Sequence, residues 1–335
     1  GGERAQSSAL ATCTSRTSAR RQRFEHLRRR HIIVLASGPP RTGSYMECCP
    51  LEAVKAKMVP IDPVIAGIIM DITKTPTLNT LLGAAADDRC IGVMSSIRCK
   101  TWTAALWLKQ ANGLPGKPLR DDENVLGFKD SSGKLPEVVE EANLESVNAA
   151  LIHRACLAHG GFMLGEQPCR RRKGYCNPKH ALIGCEKHAH MYDHPAWLKL
   201  SADFKLAEET FEQCMSADID DPERTFAKGT VLKHCKRMQR GVKIVIAPLQ
   251  CCHPKSGPGS HPALRGVDSS GRYLTSSSKS ENYSKTTCTK FAQVTYICEL
   301  SMSGNHDDVI SFVANLIRGK RLLDHHISHK FIHDT

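Results

Sequence analysis

The stretch Cys90-Ile91-Gly92-Val93-Met94-Ser95 runs straight into Ser96-Ile97-Arg98-Cys99-Lys100-Thr101-Trp102. Six apolar or small residues without polar alternation predict a strand buried on both faces, the pattern of a parallel sheet covered by helices. A thiol four residues past its end then lies where such sheets bind their ligands, in the crevice beyond the carboxyl ends of the strands. A second strand of the same kind is expected at 161–164, ahead of Gly165-Glu166-Gln167-Pro168. Cys99 and Glu166 are therefore a candidate nucleophile and proton manager at one edge of a sheet.

Working outward, His31-Ile32-Ile33-Val34-Leu35-Ala36 reads as the first buried strand, and Ser37-Gly38-Pro39-Pro40-Arg41-Thr42-Gly43 as the turn after it. A helix over 51–57, a strand over 58–62 closing on Asp62, and an apolar segment 68–72 containing Asp71 and Ile72 follow. Helices are expected at 77–86 and 136–159. Between them, Gly113, Pro115, Gly116 and Pro118 break regular structure over 103–130, a loop long enough to suggest a functional lid. Further elements are expected at 207–215, 230–234 and 242–249. A Gly-, Pro- and Ser-rich loop should occupy 252–279, with helical patterns at 284–292 and 309–317. Strands alternating with helices over 31–250 make the fold class α/β, a Rossmann-like doubly wound sheet with long loops. The expected organisation is a basic disordered arm at 1–30, the α/β domain at 31–300, and a helix with a His-rich tail at 301–335.

Composition bounds the function. The 335 residues can bury a real core. A formal net charge of +12 favours polyanions as partners, nucleic acid or an acidic surface. No apolar run approaches the roughly 20 residues that a membrane span needs, so a membrane protein is not expected. The 15 cysteines are an odd number, and residues 1–30 lack an apolar leader segment. Both favour a reducing compartment, cytoplasm or nucleus, over a disulfide framework. The chain opens on Gly1-Gly2, which leaves a fragment, a processed product or a part of a longer polyprotein open.

The order of motifs resembles the DNA cytosine-5 methyltransferases. More closely, Pro115-Gly116-Lys117-Pro118-Leu119-Arg120, Asn124-Val125-Leu126-Gly127 and Gly165-Glu166-Gln167-Pro168 are similar to methyltransferase-like domains of protist and algal retroelement polyproteins. So are the later Cys252-His253-Pro254, Gly266-Val267-Asp268 and Glu281-Asn282-Tyr283. The resemblance implies a class I methyltransferase sheet, S-adenosylmethionine as cofactor and methylation of cytosine, in DNA ahead of RNA. It implies that Ser37, Gly38 and Gly43 wrap the methionine end of the cofactor and that Asp62 takes the ribose hydroxyls. Asp71 and Ile72 then match the family's Asp-Ile pair at the adenine, Cys99 the nucleophile, and Glu166 the acid on the cytosine edge. Arg98 stands where the family has proline, and Gln167-Pro168 where it has Asn-Val; Gln213 is a candidate for a later Gln/Arg motif.

Each of these residues also has a plain reading. Cysteine is a common buried small hydrophobe, acids at strand ends are ordinary turn residues, and tight turns need glycine. Arg98 and Lys100 flank Cys99 and are candidates for lowering its thiol pKa. Trp102 is a packing residue or a stacking platform for a base. Arg170-Arg171-Arg172-Lys173 is a solvated face or a phosphate contact. Two alternatives stay open beside methylation. One is a non-catalytic nucleic-acid-binding module of a mobile-element polyprotein. The other is a zinc-stabilised nuclease or interaction domain, its ligands drawn from Cys169, Cys176, His180 and Cys185, with His188, His190 and His194 as substitutes.

Overall fold

A computed structural model describes residues 30–36, 56–99, 101–107, 116–170, 184–212, 229–246, 266–267 and 273–274. The expected α/β class is met. The elements are β1 (His31–Leu35), β2 (Lys57–Ile61), α1 (Pro63–Ala66), α2 (Thr75–Ala85), β3 (Cys90–Ser95), α3 (Glu137–Ala158), β4 (Phe162–Pro168), α4 (Pro195–Phe204), β5 (Ala207–Glu212), β6 (Gly229–His234) and α5 (Gln239–Ile246). A short separate ladder joins β7 (Gly266–Val267) to β8 (Tyr273–Leu274).

Six strands form one mixed sheet in the order β2-β1-β3-β4-β6-β5. The first four are parallel, and β6 runs antiparallel to both β4 and β5. The chain steps outward from β1 to β2 and then returns to the other side of β1 for β3. The direction of travel thus reverses between β1 and β3.

Continuous burial of β1 and β3 explains their unbroken apolar sequences. Alternate residues feed two cores. Ile33, Leu35, Val59, Ile61, Val93 and Met163 face α2, α3 and α4 through Leu81, Ala149, Ile152 and Trp197. Ile32, Val34, Met58, Met94, Leu164 and Leu232 face Met238, in the 3₁₀ turn before α5, and Val242 and Ile246 of α5. Helices therefore cover both faces of the sheet. Lys243 and Gln239 of α5 also reach Glu209 of the edge strand β5, at 3.4 and 3.2 Å.

Several boundaries differ from the sequence expectation. Lys57 opens β2 instead of closing a helix. At the start of the apolar segment at 68–72, Gly67–Met70 makes a tight 3₁₀ turn. β4 is longer than the apolar run, continuing through Glu166 and Gln167 to Pro168. The reason is tertiary, since β6 supplies a ladder to those polar residues, with Glu166 opposite Leu232 and Gln167 opposite Val231. Residues 242–246 are helical, within α5. Residues 1–29 of the expected arm at 1–30, and the helices at 284–292 and 309–317, lie outside the described residues. Among the described residues no helix is long and apolar enough to cross a membrane.

Candidate functional site

Register places the site. Ile61 pairs with Leu35, Leu35 with Ser95, and Ser95 with Gly165. The next residue in each chain forms a row across the carboxyl edge of the sheet: Asp62, Ala36, Ser96 and Glu166. Two ladder bonds extend into this row, Ala36 N–H to Ile61 O at 2.8 Å and Ser96 N–H to Leu35 O at 3.1 Å. At the usual strand spacing the row spans about 14 Å from Asp62 to Glu166. Ala36 adopts a left-handed backbone with φ +54°, which a side chain resists and which marks the start of the turn after β1.

Glu166 sits within β4, not past its end as the apolar run suggested. Its Oε2 accepts a 2.6 Å hydrogen bond from Ser96 Oγ, and its buried Oε1 has no protein partner. Gln167 donates through Nε2 to Ile97 O at 2.8 Å, fixing the backbone two residues before Cys99. Cys99 is half-buried and not disulfide-bonded. Its carbonyl accepts from Trp102 N–H at 2.9 Å, so the thiol-bearing residue opens a turn.

Arg98 does not lend Cys99 an uncompensated charge. Its Nε bonds both oxygens of Glu145 at 3.3 and 3.2 Å, and Nη2 reaches Glu141 at 3.3 Å. Burial raises the Glu145 carboxyl above its ordinary range, with Arg98 acting against the rise. Lys100 lies outside the described residues.

The candidate cofactor residues divide. Asp62 is buried at the end of β2, and its Oδ1 accepts from Val64 N–H at 2.8 Å, capping α1. Asp71 is half-buried; its Oδ1 accepts from Thr73 N–H and Oγ1 at 2.9 and 2.7 Å, an Asx turn ahead of α2. Ile72 packs into the core, and its carbonyl accepts from Asn148 Nδ2 at 2.9 Å. Ser37, Gly38 and Gly43 lie outside the described residues, as does Gln213.

Two neighbours were not legible as site residues. Tyr192 is fully buried, its hydroxyl unpartnered. A Cβ on Gly165 would come within 2.5 Å of that hydroxyl, so any larger residue before Glu166 would have to displace the buried Tyr192 ring. Burial, with Glu166 and Glu208 adding, holds the phenol well above its ordinary pKa. Arg120 lies beneath the turn after Cys99, its guanidinium 3.5 Å over the Trp102 ring. Trp102 is therefore covered on that face and is not a stacking platform for a base there. The sequence signal for Tyr192 is only the Gly165 opposite it; for Arg120 it is the Pro115–Arg120 motif, which carried no role.

The zinc alternative loses one substitute donor, His190, whose two ring nitrogens are both engaged. His190 accepts from Tyr192 N–H through Nδ1 at 3.2 Å and turns Nε2 to Pro168 O at 2.7 Å. His194 accepts from Ala196 N–H through Nδ1 at 3.2 Å, capping α4. Among the described residues no group of three or more His, Cys, Asp or Glu is placed to hold a metal. Cys176 and His180 lie outside them, as do Arg171, Arg172 and Lys173; Arg170 pairs with Asp193.

Compared with known proteins, the chain matches no family model, no curated protein and no solved structure.

Proposed function

We propose that this chain is an S-adenosylmethionine-dependent methyltransferase of class I type acting on cytosine in DNA. The observation that carries the reading is the Ser96–Glu166 hydrogen bond at 2.6 Å. It ties the segment leading to Cys99 to the Glu166 segment across β3 and β4 at the carboxyl edge of the parallel strands, one strand from the β1/β3 reversal of chain direction, the edge where doubly wound sheets bind ligands. The strand order supports that architecture: four parallel strands, reversed about β1, followed by an antiparallel pair.

The residues fit the group. In this reading Asp62, buried at the end of β2 within the same row, takes the ribose hydroxyls, and Ser37, Gly38 and Gly43, which follow the left-handed Ala36 in sequence, wrap the methionine end. When bound, S-adenosylmethionine supplies an electrophilic methyl group. Cys99 as thiolate adds to carbon 6 of cytosine, which makes carbon 5 electron-rich enough to take that methyl. Loss of the carbon 5 proton then expels the thiolate and restores the ring. Glu166 holds the edge of the base and steadies charge at the ring, its Oε1 being the buried acceptor that the protein leaves unfilled. The base must leave the duplex stack to reach this edge, and the +12 charge supports a polyanionic partner.

Calorimetric titration of the full chain with S-adenosylmethionine, followed by transfer of labelled methyl to DNA, tests this. Micromolar binding weakened about tenfold or more by Asp62→Ala, and transfer abolished by Cys99→Ser with binding retained, are expected. No cofactor binding by folded protein would overturn the reading. A nucleic-acid-binding module without chemistry would instead bind DNA with a steep salt dependence and take up no cofactor.

A further inference from the structure

Among the described residues, the buried and half-buried cations near the candidate site differ in how they are compensated. Arg98 has Glu145 and Glu141. The buried ammonium of Lys233 has Glu208 at 2.7 Å. Arg120, 2% exposed, has neither. Its Nη1 donates to Val125 O at 2.9 Å and Asn143 Oδ1 at 2.8 Å, and its Nη2 to Thr101 Oγ1 at 2.9 Å. All three acceptors are uncharged. Its Nε–H is buried without an acceptor. A guanidinium stays protonated even where burial lowers its pKa to about 10, so this is a fixed buried cation. The indole face under the guanidinium offsets part of the cost of burying it, and a buried charge without an ionic partner remains unfavourable.

The surroundings of Arg120 are rich in donors. The indole beneath it is buried with its Nε1–H unpartnered. His194 meets that indole edge-on, with ring centroids 6.1 Å apart. Its Nδ1 accepts from Ala196 N–H, so the proton of the neutral ring sits on Nε2, a further donor. A positive charge and three donor groups thus gather around one indole, without an acidic partner among the described residues.

We propose that Trp102, Arg120 and His194 form an oxyanion-binding site that accepts a phosphate or carboxylate group beside the turn that follows Cys99. Charge-assisted hydrogen bonds from a guanidinium are the strongest available to such a group. Thr101 and Trp102 follow the cysteine by two and three residues, so an oxyanion held here would also fix that turn. The site does not require Cys99 to be reactive, and it stands or falls separately from methyl transfer.

The test uses the full chain at constant ionic strength, titrated with inorganic phosphate and with acetate against chloride. Binding is read by calorimetry, by Tm and by tryptophan fluorescence. Saturable binding with a rise in Tm is expected, weakened about tenfold by Arg120→Gln. Trp102→Phe keeps an aromatic ring under Arg120 but removes the Nε1 donor, and should weaken binding severalfold with the circular dichroism spectrum unchanged. Phosphate bound ahead of acetate, and displaced by a short oligodeoxynucleotide, assigns the site to a nucleic-acid backbone. Acetate bound ahead of phosphate assigns it to a small-molecule carboxylate. No response to either anion at tens of millimolar, or a response that persists undiminished in both variants, overturns the proposal.

Discussion

Ala36 has a methyl side chain in a backbone region that favours glycine, at φ +54°. The clash of Cβ with the following carbonyl makes this region unfavourable for an L-residue. Its neighbours hold it there: Ala36 N–H is bonded to Ile61 O, and Ser96 N–H to the carbonyl of Leu35. Strained backbone persists where surrounding structure over-determines it, and such positions cluster at ligand sites. Ala36→Gly should relieve the strain and raise unfolding free energy by about 1 kcal/mol, less the extra entropy of the unfolded glycine chain. Urea denaturation of the two proteins measures this, and a loss of stability would show that the Ala36 methyl packs favourably.

At the scale of elements, α3 organises the carboxyl edge. It carries Glu145, Ser146, Asn148 and His153 as buried polar residues, an unusual load for one helix. Each has a partner on a different segment. Glu145 holds Arg98, Ser146 Oγ accepts from Trp197 Nε1 at 3.0 Å, Asn148 bonds Ile72 O, and His153 meets Ser95 Oγ at 2.8 Å. Asn143 of the same helix reaches Leu126 O and Arg120. The 22-residue helix thus grips the chain after β3, the turn before α2 and the loop around Arg120. Glu145→Gln should lower stability by about 1–2 kcal/mol, because the half-exposed Arg98 keeps Glu141 and water. Hydrogen exchange should show faster opening of the Trp102 amide, whose acceptor is Cys99 O. Unchanged exchange there would mean that the ion pair does not restrain the turn.

Across the whole molecule, acid should act through buried histidines. Burial lowers His153 to about 3, and burial together with nearby arginines lowers His190 and His194 to about 4. In the unfolded chain each titrates near 6.5. The folded state therefore excludes protons that the unfolded state binds, and stability is full above about pH 6.5. It falls as pH drops from there toward 3–4, each histidine contributing at most about 1.4 kcal/mol per pH unit. Denaturant midpoints at pH 7 and pH 5 should differ by a few kcal/mol in unfolding free energy. Equal stability at the two values would contradict neutral burial of these rings.

The amino-acid sequence by itself determined the α/β class, the central buried strands β1 and β3, the long helix α3 and the position of Cys99 past a strand end. These follow from local apolar patterning, which needs no knowledge of what packs against what. It left Glu166 outside its strand, because polar residues join a ladder only when a partner such as Leu232 of β6 arrives from 66 residues away. It could not show that Arg98 is bound by Glu145 while Arg120 is left without a carboxylate, since ion pairing joins residues distant in the chain. The tertiary structure alone aligned Asp62, Ala36, Ser96 and Glu166 in one row and set Tyr192 over Gly165. Register and burial are properties of neighbouring strands and helices together, and a single segment does not encode them.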